Sequence, residues 1–101
     1  MANKSELVHY LDQHVFDPIL RASAGGRSGH EKDELEDVQR RTETEKDRYR
    51  HYSSAEEVVR MYKDDLTSEK AKPVNAKLQR LNLPQLADVK EEFLKLAGEA
   101  S

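Results

Sequence analysis

Three groups of side chains in this sequence have types and spacings that could do chemistry, and the first is a set of carboxylate–imidazole pairs. Glu6-Leu7-Val8-His9 puts a carboxylate and an imidazole three residues apart, on one face of a helix. Di-iron helix bundles use that spacing, but they need two such pairs and two further glutamates. The chain has one. Asp47 with His51, and His30 with Glu34, add pairs four residues apart. A small metal-binding bundle would therefore have to double the Glu6–His9 pair through a homodimer. Exposed polar residues beside an apolar stripe account for the same pattern, so no metal ligand and no cofactor are assigned.

The second group is Gly25-Gly26-Arg27-Ser28-Gly29, a glycine-rich turn leading into a helix, where free amide protons could face an anion. The P-loop lysine is missing, and Glu31, Asp33 and Glu34 fill the helix's first turn, so an incoming anion meets negative charge. A flexible connector is the expectation.

The third group is cationic. Arg48-Tyr49-Arg50-His51-Tyr52 interleaves cations with aromatic rings, Arg40 and Arg41 lie two turns earlier, and Lys70, Lys72, Lys77 and Arg80 form a basic stretch. Rings stacked beside guanidinium groups can hold single-stranded nucleic acid. The competing reading places Tyr49 and Tyr52 on an apolar seam and the cations near a helix's C-terminal end. The helical hairpin at the end of the chain also imitates a helix-turn-helix unit. Its last helix, however, carries Asp88, Glu91 and Glu92, which repel phosphates. Catalysis has the least support. Serines and threonines fall mainly at helix starts, where capping explains them. Asp64-Asp65 and Glu91-Glu92 are adjacent, and neighbouring helix positions diverge by about 100°. No enzymatic activity is expected.

The elements that must position these groups are all helical. Asn3 and Glu6 form a capping pattern before the stripe Leu7, Val8, Leu11 and Val15. Pro18 lacks an amide proton and would clash with the carbonyl of His14, so residues 4–22 read as a helix broken near Asp17, with Ile19 and Leu20 on the restarted piece. Residues 22–29 read as a mobile loop. A long helix follows from about 30 to 51, with the seam Leu35, Val38, Thr42, Glu45, Tyr49 and Tyr52, a seven-residue repeat whose middle members are polar. No large apolar side chain falls between Gln39 and Arg48, so pairs such as Glu36 with Arg40 and Asp37 with Arg41 must support that stretch. Ser53 and Ser54, with Glu56 and Glu57, start the next helix, whose stripe is Ala55, Val58, Val59, Tyr62 and Leu66. Lys72 precedes a proline and so ends that helix near 70. Val74, Leu78 and Leu81 mark a short helix, Asn82-Leu83-Pro84-Gln85 a corner with another capping pattern, and Leu86, Val89, Phe93 and Leu96 a last helix stopping at Gly98.

Composition sets the limits. The 101 residues make one domain, 37% charged and 36% hydrophobic, with a net charge of −3. Leu, Ile, Val and Phe together number 21, just above the roughly 20% below which chains stay unfolded. There is no cysteine, hence no disulfide framework. Without an apolar run of membrane-spanning length or a secretory pattern at the start, a cytoplasmic setting is expected. The fold class is an all-α bundle of four or five helices with one long, polar central helix. The expected function is a protein-interaction module that binds another protein or a second copy of itself, with no contact to a membrane. Its contact would be the seam Leu35, Val38, Thr42, Glu45, Tyr49 and Tyr52, exposed because the thin core cannot cover it. The first alternative is a nucleic-acid accessory protein using Arg40, Arg41, Arg48, Arg50, Lys70, Lys72, Lys77 and Arg80; the second is the metal-binding bundle.

Overall fold

A computed structural model describes residues 2–24 and 30–99, with side chains of the second stretch described from residue 32 onward. The chain runs through α1 (Lys4–Leu11), a π-helical turn (Asp12–Phe16), α2 (Asp17–Ser23), α3 (His30–Arg50), α4 (Ala55–Thr67), a 3₁₀ turn (Glu69–Ala71), α5 (Lys72–Arg80), a second 3₁₀ turn (Leu86–Val89) and α6 (Lys90–Leu96). Counted as rods, with each turn joined to the helix it continues, these make an all-α bundle of five. No strand occurs among the described residues.

The first rod is continuous. Asn3 caps it, its side chain accepting from the Glu6 amide at 2.9 Å. The expected break at Asp17 is absent: Asp17 has helical angles, φ −66° and ψ −41°, and its N–H donates to the carbonyl of Asp12, five residues back. Widening the helix by one residue per turn over 12–16 gives the Pro18 ring room beside the His14 carbonyl, so the chain passes the proline without stopping. Ser23, expected in the loop, extends α2, and its Oγ donates to the Leu20 carbonyl at 3.1 Å. The glycine-rich turn at 25–29, with its expected mobility, lies outside the described residues, as do the side chains of His30 and Glu31.

Lys72 is also helical, at φ −56° and ψ −48°, despite the proline that follows. Helix α4 has already stopped at Thr67, and Pro73 sits in the first turn of α5, where an amide proton has no helical acceptor to lose. At the other end of α5, Asn82 takes a left-handed φ of 59°. Its N–H reaches the Gln79 carbonyl at 3.1 Å and the Leu83 N–H reaches Leu78 at 2.8 Å, a Schellman closure. Asn82 therefore ends a helix instead of capping the next; Gln85 and Asp88 form that cap reciprocally. Helix α6 ends the same way at Gly98, φ 80°, with Glu99 N–H bonded to the Leu94 carbonyl at 2.9 Å.

The core joins the two ends of the chain. Leu7, Leu11, Val15, Val38, Tyr49, Val58, Tyr62 and Phe93 are fully buried. Phe93 stacks on Tyr62 with ring centroids 4.2 Å apart and approaches Tyr10 at 6.3 Å, while the Ala2 amide bonds to the Leu96 carbonyl. Against α3, Phe16 meets Tyr49 at 5.7 Å. Leu11 lies wholly inside this cluster whereas Leu96 stays 36% exposed. Leu11→Ala should cost about 2–5 kcal/mol in urea denaturation, the range for emptying a core leucine site. Leu96→Ala should stay within about 0.5 kcal/mol.

Candidate functional site

The seam of α3 faces inward. Leu35, Val38, Thr42 and Tyr49 are 3%, 1%, 7% and 0% exposed, and Glu45 and Tyr52 are half-buried. This corrects the expectation that the seam is a free contact surface. The covering layer is the chain's own first rod, whose π turn and α2 lie along α3. The apolar ends of the seam are thereby sealed, Leu35 and Val38 at one end, Tyr49 and the Tyr52 ring at the other.

Between those ends the packing leaves a gap. A groove of about 480 Å³ opens where the seam turns polar, so that Thr42 and Glu45 both line it. Val15, Phe16 and Ile19 from the first rod form one wall, and Val74 and Leu78 of α5, with Leu66 and Leu86, supply further apolar lining. Arg40, Arg41, Arg48 and Lys70 contribute cations to the lining, and Glu45 and Asp65 contribute carboxylates. The physical cause is local: an ionisable side chain at 45 cannot be closed over by aliphatic neighbours without a large desolvation cost.

One end of the groove holds a tight polar cluster. Arg48 Nη2 donates to Glu45 Oε1 at 2.6 Å and to Asp65 Oδ2 at 2.9 Å, and Tyr49 donates its hydroxyl to the same Asp65 oxygen at 2.6 Å. The Arg48 guanidinium carbon lies 5.8 Å from the centroid of the Tyr49 ring. Burial pushes the Glu45 carboxyl up to about 7, with Asp65 adding to the rise and Arg48 opposing it. Burial, then the bond to Asp65, also pushes the Tyr49 hydroxyl well above its ordinary range.

The cations at the other end converge on α3. Asp37 accepts from Arg40 at 2.7 Å, Arg41 at 2.9 Å and Lys77 at 2.9 Å, and the Lys77 bond in particular holds its carboxyl below the usual range. Arg80 pairs with Glu34 at 2.8 Å. Later residues of α5 thus meet earlier residues of α3, so the two helices run antiparallel. Arg40 pairs with Asp37 and not with Glu36 as the spacing suggested. Three cations share one carboxylate there, and two of them, Arg40 and Arg41, line the groove.

The nucleic-acid set is divided by the fold. Arg40, Arg41, Lys77 and Arg80 gather along α3 and α5, with Lys70 in the preceding turn and Lys72 at the start of α5, paired to Glu69 at 2.9 Å. Arg48 is turned into the polar cluster, and Arg50 lies on a separate, smaller cavity with Lys4, Ser5, Val8, His9 and Asp12. The interleaved cations and rings at 48–52 are therefore not one platform: Tyr49 is sealed and Tyr52 packs against the core. For metal, Glu6 and His9 are exposed on α1, and Asp47 and His51 are exposed with Nδ1 and Oδ1 3.9 Å apart. No group of three possible ligands occurs among the described residues. Nor is any helix among them long and apolar enough to cross a membrane.

Sequence reasoning missed Asp65, Leu66, Val74 and Leu78 as groove residues. Asp65 falls next to Leu66 of the α4 stripe, a position where a carboxylate must find buried donors. That was the available signal.

Neither a protein-family model, nor a curated protein, nor a solved structure matches this chain.

Two measurements test the cluster. Tyr49→Phe deletes a hydrogen bond to a carboxylate and should cost about 1.5–3 kcal/mol in thermal or urea denaturation. Because the folded-state pKa of Glu45 is raised, its stabilising share is fully present below the unfolded value of 4.5 and is lost as pH rises through about 7. Glu45→Gln stays uncharged throughout. It should melt close to the wild type at pH 5 and several degrees higher at pH 8.

Proposed function

We propose that this chain is a non-catalytic protein-interaction module whose groove, between the first rod, α3 and α5, receives the apolar face of one amphipathic helix from another protein. The observation that carries this reading is the groove itself, an apolar-walled opening at the only polar stretch of the α3 seam. Its lining on α3 runs from Arg40 to Arg48, two helical turns and about 12 Å. That length accommodates side chains at i, i+3 or i+4, and i+7 of a docked helix, the spacing by which helices lie in grooves.

Charge selects the partner. Arg40, Arg41, Arg48 and Lys70 outnumber Glu45 and Asp65 in the lining, and that excess of cations favours a helix whose flanks carry Glu or Asp. A second copy of this chain is the competing occupant. The seam residues first expected to make the contact contribute differently. Thr42 and Glu45 belong to the groove, whereas Leu35, Val38, Tyr49 and Tyr52 hold the walls that shape it.

Panning a randomised helical-peptide library on the wild-type chain, with counter-selection on Val74→Glu, tests the reading. Val74 is half-buried on the groove wall, so the variant should keep its circular-dichroism melt within a few degrees while placing a carboxylate among the apolar contacts. Enrichment of apolar residues at i, i+3 or i+4, and i+7 with acidic flanks is expected. Peptides that bind the variant equally well, or no enrichment, overturn it. Sedimentation as a dimer that Val74→Glu converts to a monomer would assign the groove to self-association instead.

A further inference from the structure

We propose that docking in the groove is coupled to the uptake of one proton by Glu45, which shares the Arg48 guanidinium with Asp65, so that the module releases its partner when that proton is lost. The inference rests on the docking reading above and adds its regulation.

Geometry makes the pair a proton acceptor. One nitrogen of Arg48 holds an oxygen of each carboxylate, so two negative charges face a single cation. Asp65 has a second donor in the Tyr49 hydroxyl, whereas Glu45 has Arg48 alone. The charge is therefore better supported on Asp65, and the proton belongs on Glu45. The Glu45 side chain is 32% exposed, against 15% for Asp65, and it lines the groove. Water entering the groove solvates it. An apolar occupant displaces that water and penalises the charged form further.

The surroundings single out this group. From α3, Glu45 is faced by Arg48 and the Tyr49 hydroxyl, and from just past its end by the Tyr52 hydroxyl, which is buried without a hydrogen-bond partner. Arg41, one turn earlier on α3, is bonded to Asp37. Asp65 approaches from α4, where Glu57 lies near Tyr52, and Lys70 stands on the groove lining contributed by the first 3₁₀ turn. The first rod presents Val15, Phe16 and Ile19, with the Asp17–Lys46 pair alongside; α5 presents Val74, Asn75 and Leu78. No histidine lines the groove among the described residues: His14 stacks on Tyr10, His9 lines the smaller cavity, and His51 is exposed beside Asp47. Glu45 is thus the group in the groove placed to exchange a proton near neutrality.

By linkage, docking that raises proton affinity is itself weakened when the proton leaves. The probe is 8-anilinonaphthalene-1-sulfonate, an apolar body with a permanent anionic group, titrated by fluorescence at constant ionic strength. With a midpoint near 7 in the free chain, its affinity should fall about tenfold between pH 6 and pH 8. Glu45→Gln should change less than about twofold over that interval, and Val74→Glu should abolish binding. Carboxyl carbon NMR of the free chain reads the pair independently, Glu45 titrating near 7. Val74→Glu-sensitive binding with equal affinity at both pH values overturns the coupling and leaves docking standing. Glu45 titrating near its ordinary 4.5 also overturns the coupling alone. Absence of Val74→Glu-sensitive binding at either pH overturns the docking reading and the coupling together.

Discussion

Helix α3 must bury one face, and the middle of that face cannot be dehydrated without cost. Leu35 and Val38 at one end and Tyr49 and Tyr52 at the other give the neighbouring rods something to close upon. Thr42 and Glu45 do not. A hydroxyl and a carboxylate demand partners or water, and aliphatic neighbours offer neither. A groove therefore remains where Thr42 and Glu45 lie, although the Asp17–Lys46 pair joins the first rod to α3 beside it. The polar cluster that lines one end of the groove follows from the same division.

The cluster illustrates how a half-buried carboxylate pair survives. Arg48 bridges Glu45 and Asp65, and Tyr49 brings a hydroxyl from within the core to Asp65. Tyr49 thus serves two purposes: its ring packs against Phe16 and Tyr52, and its oxygen ties α3 to α4. At the opposite end, Lys77 and Arg80 hold α5 to α3 through Asp37 and Glu34. Exposed pairs of this kind contribute little stability each. What they supply is direction, holding α5 antiparallel to α3 so that Val74 and Leu78 form a wall.

Much of the fold was legible in the sequence because helix periodicity and capping are local. The Asn3 and Ser54 caps, the 30–51 helix, the stop at Gly98 and the membership of the α3 seam all follow from neighbours within a few residues. What covers that face is not local. The scarcity of large apolar side chains made the seam look uncovered, and a break at Pro18 would leave only two short pieces near the N-terminus. The π turn makes them one rod of about 30 Å, nearly the length of the 21-residue α3. Hydrophobic counting also missed the tyrosine rings and the small residues Ala2 and Ala97, which fill the core beside Phe93. The groove was half legible. A polar interruption in a heptad seam announces a place where packing fails, but which helices border it depends on contacts between residues up to 46 positions apart.

Stability and openness oppose each other at that interruption. In a domain with so few large apolar residues, leucine at 42 or 45 would extend the seam and draw the rods together, at a gain in burial of roughly 1.5–3 kcal/mol for a fully buried side chain. Either change would narrow the gap, and leucine at 45 would also remove one member of the carboxylate pair. A small domain that forgoes that burial keeps a preformed opening, and a preformed opening needs less reordering when a partner arrives. The same residues that weaken the core would thus lower the cost of the proposed docking, and Glu45 ties the two together. Its charge resists closure in the free chain, and neutralising it removes that resistance when an apolar face takes the place of water.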